Sequence, residues 1–184
     1  LYQELEKETG QSTGWHGCGS IRLALKEEDL NWFHYIKGIL DNVGSPAEFI
    51  NKEKILDLHP FLKIEDVLGG LLTPEDGYTD PTSTTNAMAI AARKAGAEIY
   101  RHNRVIEITK LTNGEWELNT EKGKIICEHV VNAAGSFGIE VGAMVGLSNI
   151  PSVNMIHHYL VTENHPEIEK RDKELPVIRD PFSN

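Results

Sequence analysis

Hydrophobic and polar residues alternate along the chain with two different periods, which predict a mixture of helices and strands. Apolar residues spaced by three and four predict helices, whereas alternation in twos and short apolar runs predict strands. The predicted helices span residues 1–9, 26–43, 52–58, 81–94 and 136–147. The predicted strands span residues 20–25, 47–50, 67–73, 97–100, 104–111, 115–120, 125–137 and 153–161. This order is typical of an α/β protein of mixed α+β character.

The apolar run over residues 125–137 predicts a strand that is buried on both faces, because it lacks regular alternation. Ala133, Ala134 and Gly135 at its end carry almost no side chain. A ligand could therefore lie against bare backbone just before the next predicted helix. Close packing of the strand against that helix explains the same small residues without a ligand.

Turn residues divide the remaining elements. Asn113-Gly114 predicts a hairpin, so the strands around it form a three-stranded antiparallel meander that runs into residues 125–137. The turn over residues 74–77 is followed by Asp80 and Pro81, which are typical of a helix N-cap and of the first helical position.

The composition of the chain narrows its possible partners. With 184 residues, 40% of them hydrophobic, the chain can bury one sizeable core or two small ones. Its net charge of −10 argues against nucleic acid or an anionic membrane as the main partner. No apolar stretch is long enough to span a bilayer, and the acidic first residues do not resemble a signal peptide. Cys18 and Cys127 lack CxxC spacing, which favours structural thiols in a reducing compartment.

Few residues stand out as candidates for chemistry. The sequence contains no GxGxxG, GxxxxGK[ST], HExxH or GxSxG motif. His157 and His158 are adjacent, so on a strand they point to opposite faces, which disfavours a shared metal ion. His157 and Tyr159 would share a face and could position a polar substrate or transfer a proton. Core residues with satisfied hydrogen bonds explain this pair equally well.

Four separated segments resemble one known family. They are LYQELEKETGQSTGWHGCGSIRLAL, GLLTPEDGYTDPTSTTNAMAIAARKAGAEI, EHVVNAAGSFGIEVGAMVGL and IHHYLVTE, in this order. Together they closely resemble the dimethylglycine/sarcosine dehydrogenase branch of the D-amino-acid-oxidase-like flavoproteins. The resemblance covers nearly the whole chain and is most specific at the DGxxDP turn, residues 76–81, and at VVNAAG, residues 130–135.

The resemblance implies a Rossmann-like FAD-binding domain interwoven with a substrate domain built on an antiparallel sheet. Residues 1–14 and 81–150 would then belong to the FAD-binding domain, and residues 15–80 and 151–184 to the substrate domain. Family members carry GxGxxG before the segments matched here and a flavin-facing loop after them. We therefore expect an internal fragment of a longer protein, which does not hold FAD tightly by itself.

The resemblance also implies which residues contact the cofactor. Val105 matches a position that meets the adenosine part of FAD through its backbone. Ala134, Gly135, Ser136 and Phe137 match the segment that passes close to the cofactor. Phe137 stands where family members often have tryptophan.

The active-site residues implied by the resemblance lie on a later strand. The IHHYLV segment resembles the family's HQYV strand, whose tyrosine faces the substrate amine. Tyr159 is therefore the first candidate catalytic residue and His157 the second, while His158 replaces the family's glutamine and should point away. No metal is expected.

The implied function is oxidation of an N-methyl amine, such as dimethylglycine or sarcosine, by hydride transfer to FAD. Two alternatives stay open: a related flavin oxidase acting on glycine or a D-amino acid, and a non-catalytic module of a flavoprotein assembly. An electron-transfer flavoprotein or oxygen would accept the electrons, and folate in a C-terminal region would capture the product. The expected location is bacterial cytoplasm or mitochondrial matrix.

Overall fold

A four-stranded mixed sheet organises the first of the two compact units into which the chain folds. The structure is a computed structural model that describes residues 1–181. The first unit comprises Leu1–Glu98 together with the segment that begins at Asn164, and the second comprises Ile99–Glu163.

The elements follow one another in an order close to the predicted one. They are α1 (Tyr2–Thr9), β1 (Ser20–Ala24), α2 (Glu27–Val43), β2 (Glu48–Ile50), α3 (Lys52–Leu58), β3 (Gly69–Thr73), α4 (Pro81–Lys94), β4 (Val105–Lys110), β5 (Trp116–Thr120), β6 (Gly123–Cys127), a 3₁₀ turn (Gly135–Phe137), α5 (Gly138–Ala143), α6 (Pro166–Glu169) and β7 (Val177–Arg179).

The sheet of the first unit has the strand order β2-β3-β1-β7. Strands β1 and β2 run antiparallel to β3, whereas β7 runs parallel to β1. Residues that alternate along these strands fill two separate cores. One contains Ile21, Leu23, Ile50, Ile55, Val67 and Leu72, and the other contains Ala24, Phe33 and Leu71. The mixed α/β class predicted from the sequence is confirmed.

Capping residues confirm the predicted helix boundaries in this unit. Helix α1 ends at Gly10, whose φ of +74° lies in the left-handed region that favours glycine. The Asn51 side chain accepts a hydrogen bond from the N–H of Lys54 and so caps α3. Asp80 caps α4 in the same way, and Pro81 occupies the first helical position as predicted.

The second unit is built on the predicted antiparallel meander. Strands β4, β5 and β6 form a three-stranded sheet in that order, and the turn at Asn113-Gly114 joins the first two. The 3₁₀ turn and α5 follow. Helix α5 is shorter than the predicted helix over residues 136–147, because the first residues form the 3₁₀ turn and Gly146, with a φ of +81°, ends the last turn.

The prediction of a buried strand over residues 125–137 is wrong. Strand β6 ends at Cys127, and it pairs with β5 on one side only. The residues from 128 to 134 have no regular structure, and Val131 is 85% exposed. An apolar run shows that a segment suits burial, but burial on both faces needs layers that this part of the chain does not supply.

The predicted strands over residues 97–100 and 153–161 are also absent. Neither segment has regular secondary structure, and within residues 1–181 no strand pairs with either. β-Branched and aromatic residues favour a pleated surface, but a strand also needs a neighbour for its backbone groups. Across residues 1–181, no helix combines the length and the apolar character needed to cross a membrane.

Candidate functional site

A cavity of about 440 Å³ in the second unit brings several of the predicted cofactor residues together. Its walls come from the start of β4, the 3₁₀ turn and α5, and we name it the β4–α5 cavity. The lining residues are Arg104, Val105, Ala134, Phe137, Glu140, Val141 and Met144. Val105, Ala134 and Phe137 thus line one cavity, although 28 residues or more separate the first from the others. Gly135 and Ser136 lie between the other two in sequence.

Hydrogen bonds from one side chain hold the turn that borders this cavity. The Asn132 carboxamide oxygen accepts from the N–H of Ala134 at 3.2 Å, and its nitrogen donates to the carbonyl oxygen of Gly138 at 2.8 Å. Gly135 has a φ of +56°, in the left-handed region. An added Cβ there would meet no atom within 4 Å, so the backbone conformation, not lack of space, favours glycine. The turn therefore presents open backbone beside the cavity.

Strand β4 begins irregularly at the opposite wall. The N–H of Glu121 donates to the carbonyl oxygen of Arg104 at 3.0 Å, which fixes the chain just before the strand. The pairing between β4 and β5 then shifts register between Val105 and Glu107. Such bulges redirect the strand locally and occur often beside binding sites. Val105 therefore stands at a break in the ladder and not in its regular part.

The chemistry of the β4–α5 cavity fits part of FAD. Five of the lining residues are apolar, and Arg104 and Glu140 supply one charge of each sign. Apolar walls with a few polar groups suit a flat ring system, and the volume lies within the usual range for small-molecule sites. The residues that would hold the cofactor are Val105 and those of the turn from Ala134 to Phe137.

Tyr159 and His157 do not line this cavity. Both lie in the segment after α5 that has no regular secondary structure, and Tyr159 is 89% exposed. Because this segment is not a strand, the prediction that the two side chains share one face of a strand is wrong for this structure. Within residues 1–181, neither side chain has a hydrogen-bond partner. Their assignment to an active site stays a prediction.

Four lining residues were missed by reasoning from the sequence: Arg104, Glu140, Val141 and Met144. Glu140 and Met144 are four residues apart, which places them on one side of α5 and its last turn. That spacing is visible in the sequence, but it points to a site only once β4 is known to face the same helix. In residues 1–181, no group of three or more histidine, cysteine, aspartate or glutamate side chains is arranged to hold a metal ion.

The DGxxDP turn joins structural elements in the first unit. The Asp76 carboxylate accepts hydrogen bonds from the hydroxyls of Ser20 and Thr73, both at 2.7 Å. The Thr79 hydroxyl donates to the carbonyl oxygen of Thr13 at 2.6 Å. The turn is therefore tied to β1, to β3 and to the segment that follows α1.

Two polar rings, those of His16 and Tyr78, lie beside this turn. His16 and Tyr78 pair through their backbones, and their rings stack with centroids 4.6 Å apart. His16 Nδ1 lies 2.6 Å from a carboxylate oxygen of Glu174. Burial raises the pKa of the Tyr78 hydroxyl above its ordinary value, and the negative charge of Glu174 raises it further. Tyr78 therefore stays a neutral phenol near pH 7.

His59 is the histidine whose protonation the fold opposes. It ends α3, and its Nδ1 atom is buried with no hydrogen-bond partner among the described residues. Burial lowers the pKa of His59, and the positive charge of Arg171 lowers it further.

Comparison with known proteins places this geometry in context. The family model "DAO: FAD dependent oxidoreductase" matches residues 1–183. Mitochondrial dimethylglycine dehydrogenase of Rattus norvegicus is 39% identical over 180 residues, which are 98% of this chain and 21% of that protein. Mitochondrial sarcosine dehydrogenase of Mus musculus is 31% identical over 97% of this chain and 19% of its own length. The chain thus spans about a fifth of these relatives.

A third relative and a solved structure extend the comparison. The mitochondrial pyruvate dehydrogenase phosphatase regulatory subunit of Mus musculus is 36% identical over 88% of this chain and 19% of its own length. The crystal structure of L-proline dehydrogenase from P. horikoshii superposes with a TM-score of 0.78 at 23% identity, covering 98% of this chain and 47% of that one. At this identity the superposition shows the fold alone. The resemblance deduced from the four sequence segments is confirmed.

Proposed function

Because the chain belongs to the FAD dependent oxidoreductase family, we propose that the whole protein oxidises an N-methyl amine such as dimethylglycine or sarcosine. The observation that carries this proposal is the β4–α5 cavity, which gathers Val105, Ala134 and Phe137. The identity with dimethylglycine dehydrogenase over nearly the whole chain supports the choice of substrate class.

The first role proposed for this chain is to bind the cofactor. Val105 would meet the adenosine part at the bulge of β4, and the turn from Ala134 to Phe137 would follow the cofactor with its backbone. FAD held by these residues would supply the acceptor for the hydride of the N-methyl carbon, and the resulting iminium of the substrate would be hydrolysed by water or captured by folate. The apolar side chains of the cavity exclude water from the ring that they contact.

The second proposed role is to hold the substrate. The Tyr159 hydroxyl would form a hydrogen bond that orients the substrate amine, and His157 would assist as a donor or acceptor. In this proposal residues 1–14 and 81–150 form part of the cofactor domain, and residues 15–80 and 151–184 part of the substrate domain. The proposed location is the mitochondrial matrix or bacterial cytoplasm; the mitochondrial names of two relatives support the former. The acceptor would be an electron-transfer flavoprotein or oxygen.

Cofactor binding is tested by filling the cavity. Ala134→Leu adds a branched side chain to the wall of the β4–α5 cavity, whereas Ala143→Leu makes the same change at an exposed position of α5. We expect the whole protein purified with Ala134→Leu to retain at least about tenfold less flavin per polypeptide, from its visible absorbance. Ala143→Leu should retain the wild-type amount. Full flavin content in Ala134→Leu would contradict the assignment of this cavity.

Catalysis is tested separately from cofactor binding. Tyr159→Phe and His157→Ala should each keep their flavin and lose at least about tenfold in the rate at which dimethylglycine or sarcosine bleaches the visible spectrum. His158→Gln is the matched control and should bleach at the wild-type rate. Faster bleaching by glycine or a D-amino acid than by either methylated glycine would instead favour the related oxidase activity.

A non-catalytic role is the second candidate function. The observation that favours it is the 36% identity with a relative whose name describes a regulatory subunit. In that case the whole protein would bind a protein partner through the same fold. Wild-type protein with a full complement of flavin would then show no bleaching with any amine of the panel, and Tyr159→Phe would change nothing.

A further inference from the structure

Two arginines stand side by side on the mixed sheet of the first unit. Arg22 on β1 and Arg179 on β7 are register partners in neighbouring parallel strands. Register partners project from the same face of a sheet, and neighbouring strands lie about 5 Å apart. The two side chains therefore leave the sheet next to each other.

Both arginines line one concave pocket of about 330 Å³, which we name the two-arginine pocket. Its other walls are Trp32 and Phe33 of α2, Asp29 at the start of α2, and Pro181. Phe33 is buried in the core beneath, whereas Trp32 is 53% exposed and packs against Tyr35 with ring centroids 5.2 Å apart. The pocket thus combines two cations with an accessible aromatic wall.

Among residues 1–181, the two arginine charges of this pocket exceed the single negative charge that Asp29 contributes to its lining. Within residues 1–181, neither arginine lies within 4.0 Å of a carboxylate oxygen or donates a hydrogen bond from its side chain. Among the described lining residues, Asp29 alone carries a carboxylate, and it accepts hydrogen bonds from the backbone N–H groups of Leu25 at 2.9 Å and Lys26 at 3.2 Å. These two hydrogen bonds hold the Asp29 carboxylate at the start of α2. Two arginines at paired register positions, with no carboxylate oxygen within 4.0 Å among the described residues, favour an anion between them.

We propose that the two-arginine pocket binds a small molecule through a carboxylate or phosphate group held between Arg22 and Arg179. The planar guanidinium matches the two oxygens of either group, and the flat body of the ligand lies against Trp32. This pocket lies in the first unit, whereas the proposed cofactor cavity lies in the second. Ligand binding in the two-arginine pocket does not depend on the proposed oxidation.

The test uses the whole protein and fluorinated probes observed by ¹⁹F NMR. The probes are 4-fluorobenzoate, 4-fluorophenyl phosphate and the neutral 4-fluorobenzamide, each titrated from micromolar to about 10 mM. We expect at least one anion to bind and the amide to bind at least about tenfold more weakly. The stronger of the two anions identifies the preferred group. Equal binding of the amide, or no binding of either anion, would overturn the proposal.

Variants locate the binding. Arg22→Gln and Arg179→Gln should each weaken anion binding at least about tenfold, and Arg93→Gln, which removes the same charge from the exposed side of α4, should leave it unchanged. Arg179→Lys should restore only part of the affinity, because lysine cannot bind bidentately. Circular dichroism shows whether each variant folds. If Arg22→Gln unfolds, the anion affinity of Arg179→Gln, on the edge strand, tests the proposal. Anion affinity that persists at the wild-type level in a folded Arg179→Gln would also overturn the proposal.

Discussion

Gly77 gives the sharpest stability prediction, because the backbone of another segment crosses directly over it. A Cβ added at this position would overlap the carbonyl oxygen of His16, and it would lie only 2.9 Å from the His16 carbonyl carbon and 3.0 Å from a ring carbon of Trp15. The nearest atoms belong to backbone, so they cannot rotate away as a flexible side chain would. Gly77→Ala must therefore push the two segments apart.

The cost follows from what that separation breaks. His16 donates its N–H to the carbonyl of Tyr78 at 2.9 Å, and Tyr78 donates to the carbonyl of His16 at 3.1 Å. Each such bond contributes about 1 kcal/mol net, and overpacking adds about 1–3 kcal/mol. We expect Gly77→Ala to lower the local free energy of opening by about 3 kcal/mol, which corresponds to roughly 100-fold faster exchange.

Hydrogen exchange of the His16 and Tyr78 amides in the whole protein measures this effect directly. Gly38→Ala is the matched control, because an added Cβ there meets no atom within 4 Å and the position lies inside α2. Alanine should stabilise that helix by about 0.5–1 kcal/mol and slow the exchange of its amides. Wild-type exchange rates at both His16 and Tyr78 in Gly77→Ala would refute the steric argument.

Two further predictions concern α3. Asn51→Ala removes the side chain that accepts from the N–H of Lys54, so the amides in the first turn of α3 should open about 1 kcal/mol more easily in hydrogen exchange. Because the pKa of His59 is lowered in the folded protein, the unfolded chain takes up the proton first as the pH falls below the ordinary value of 6.5. Stability should therefore decrease from pH 7.5 to 5.5, and the decrease in melting temperature should be smaller in His59→Gln but not in His158→Gln.

The helices could be predicted from the sequence because their ends are encoded locally. Asn51 and Asp80 bond to backbone groups only three residues away, and Gly10 needs only its own conformational freedom. The hairpin at Asn113-Gly114 is local in the same sense. Such signals do not depend on distant parts of the chain.

The errors fall where structure depends on a distant partner. Residues 125–137 and 153–161 have apolar and β-branched residues that suit strands, yet a ladder of strands forms only in the first three residues of the former run. A one-dimensional pattern indicates what a segment can bury but not which neighbour would cover it. The same limit applies to the candidate site. Val105 and Phe137 were proposed by resemblance. Glu140 could be added only from the structure, because it lines the cavity where β4 faces α5.

The two most specific segments of the resemblance, the DGxxDP turn and VVNAAG, differ in what their residues contact. Four residues of the DGxxDP turn have structural roles: Asp76 binds two hydroxyls of the sheet, Gly77 admits the His16 carbonyl, the Thr79 hydroxyl donates to the Thr13 carbonyl, and Asp80 caps α4. Its residues are accounted for by folding alone, so a ligand is not needed to explain them. The VVNAAG segment differs, because Gly135 is held in a left-handed conformation and an added Cβ there would meet no atom of the described residues within 4 Å. Exposed backbone beside the β4–α5 cavity is compatible with the proposed cofactor contact of this turn, which the flavin content of Ala134→Leu tests.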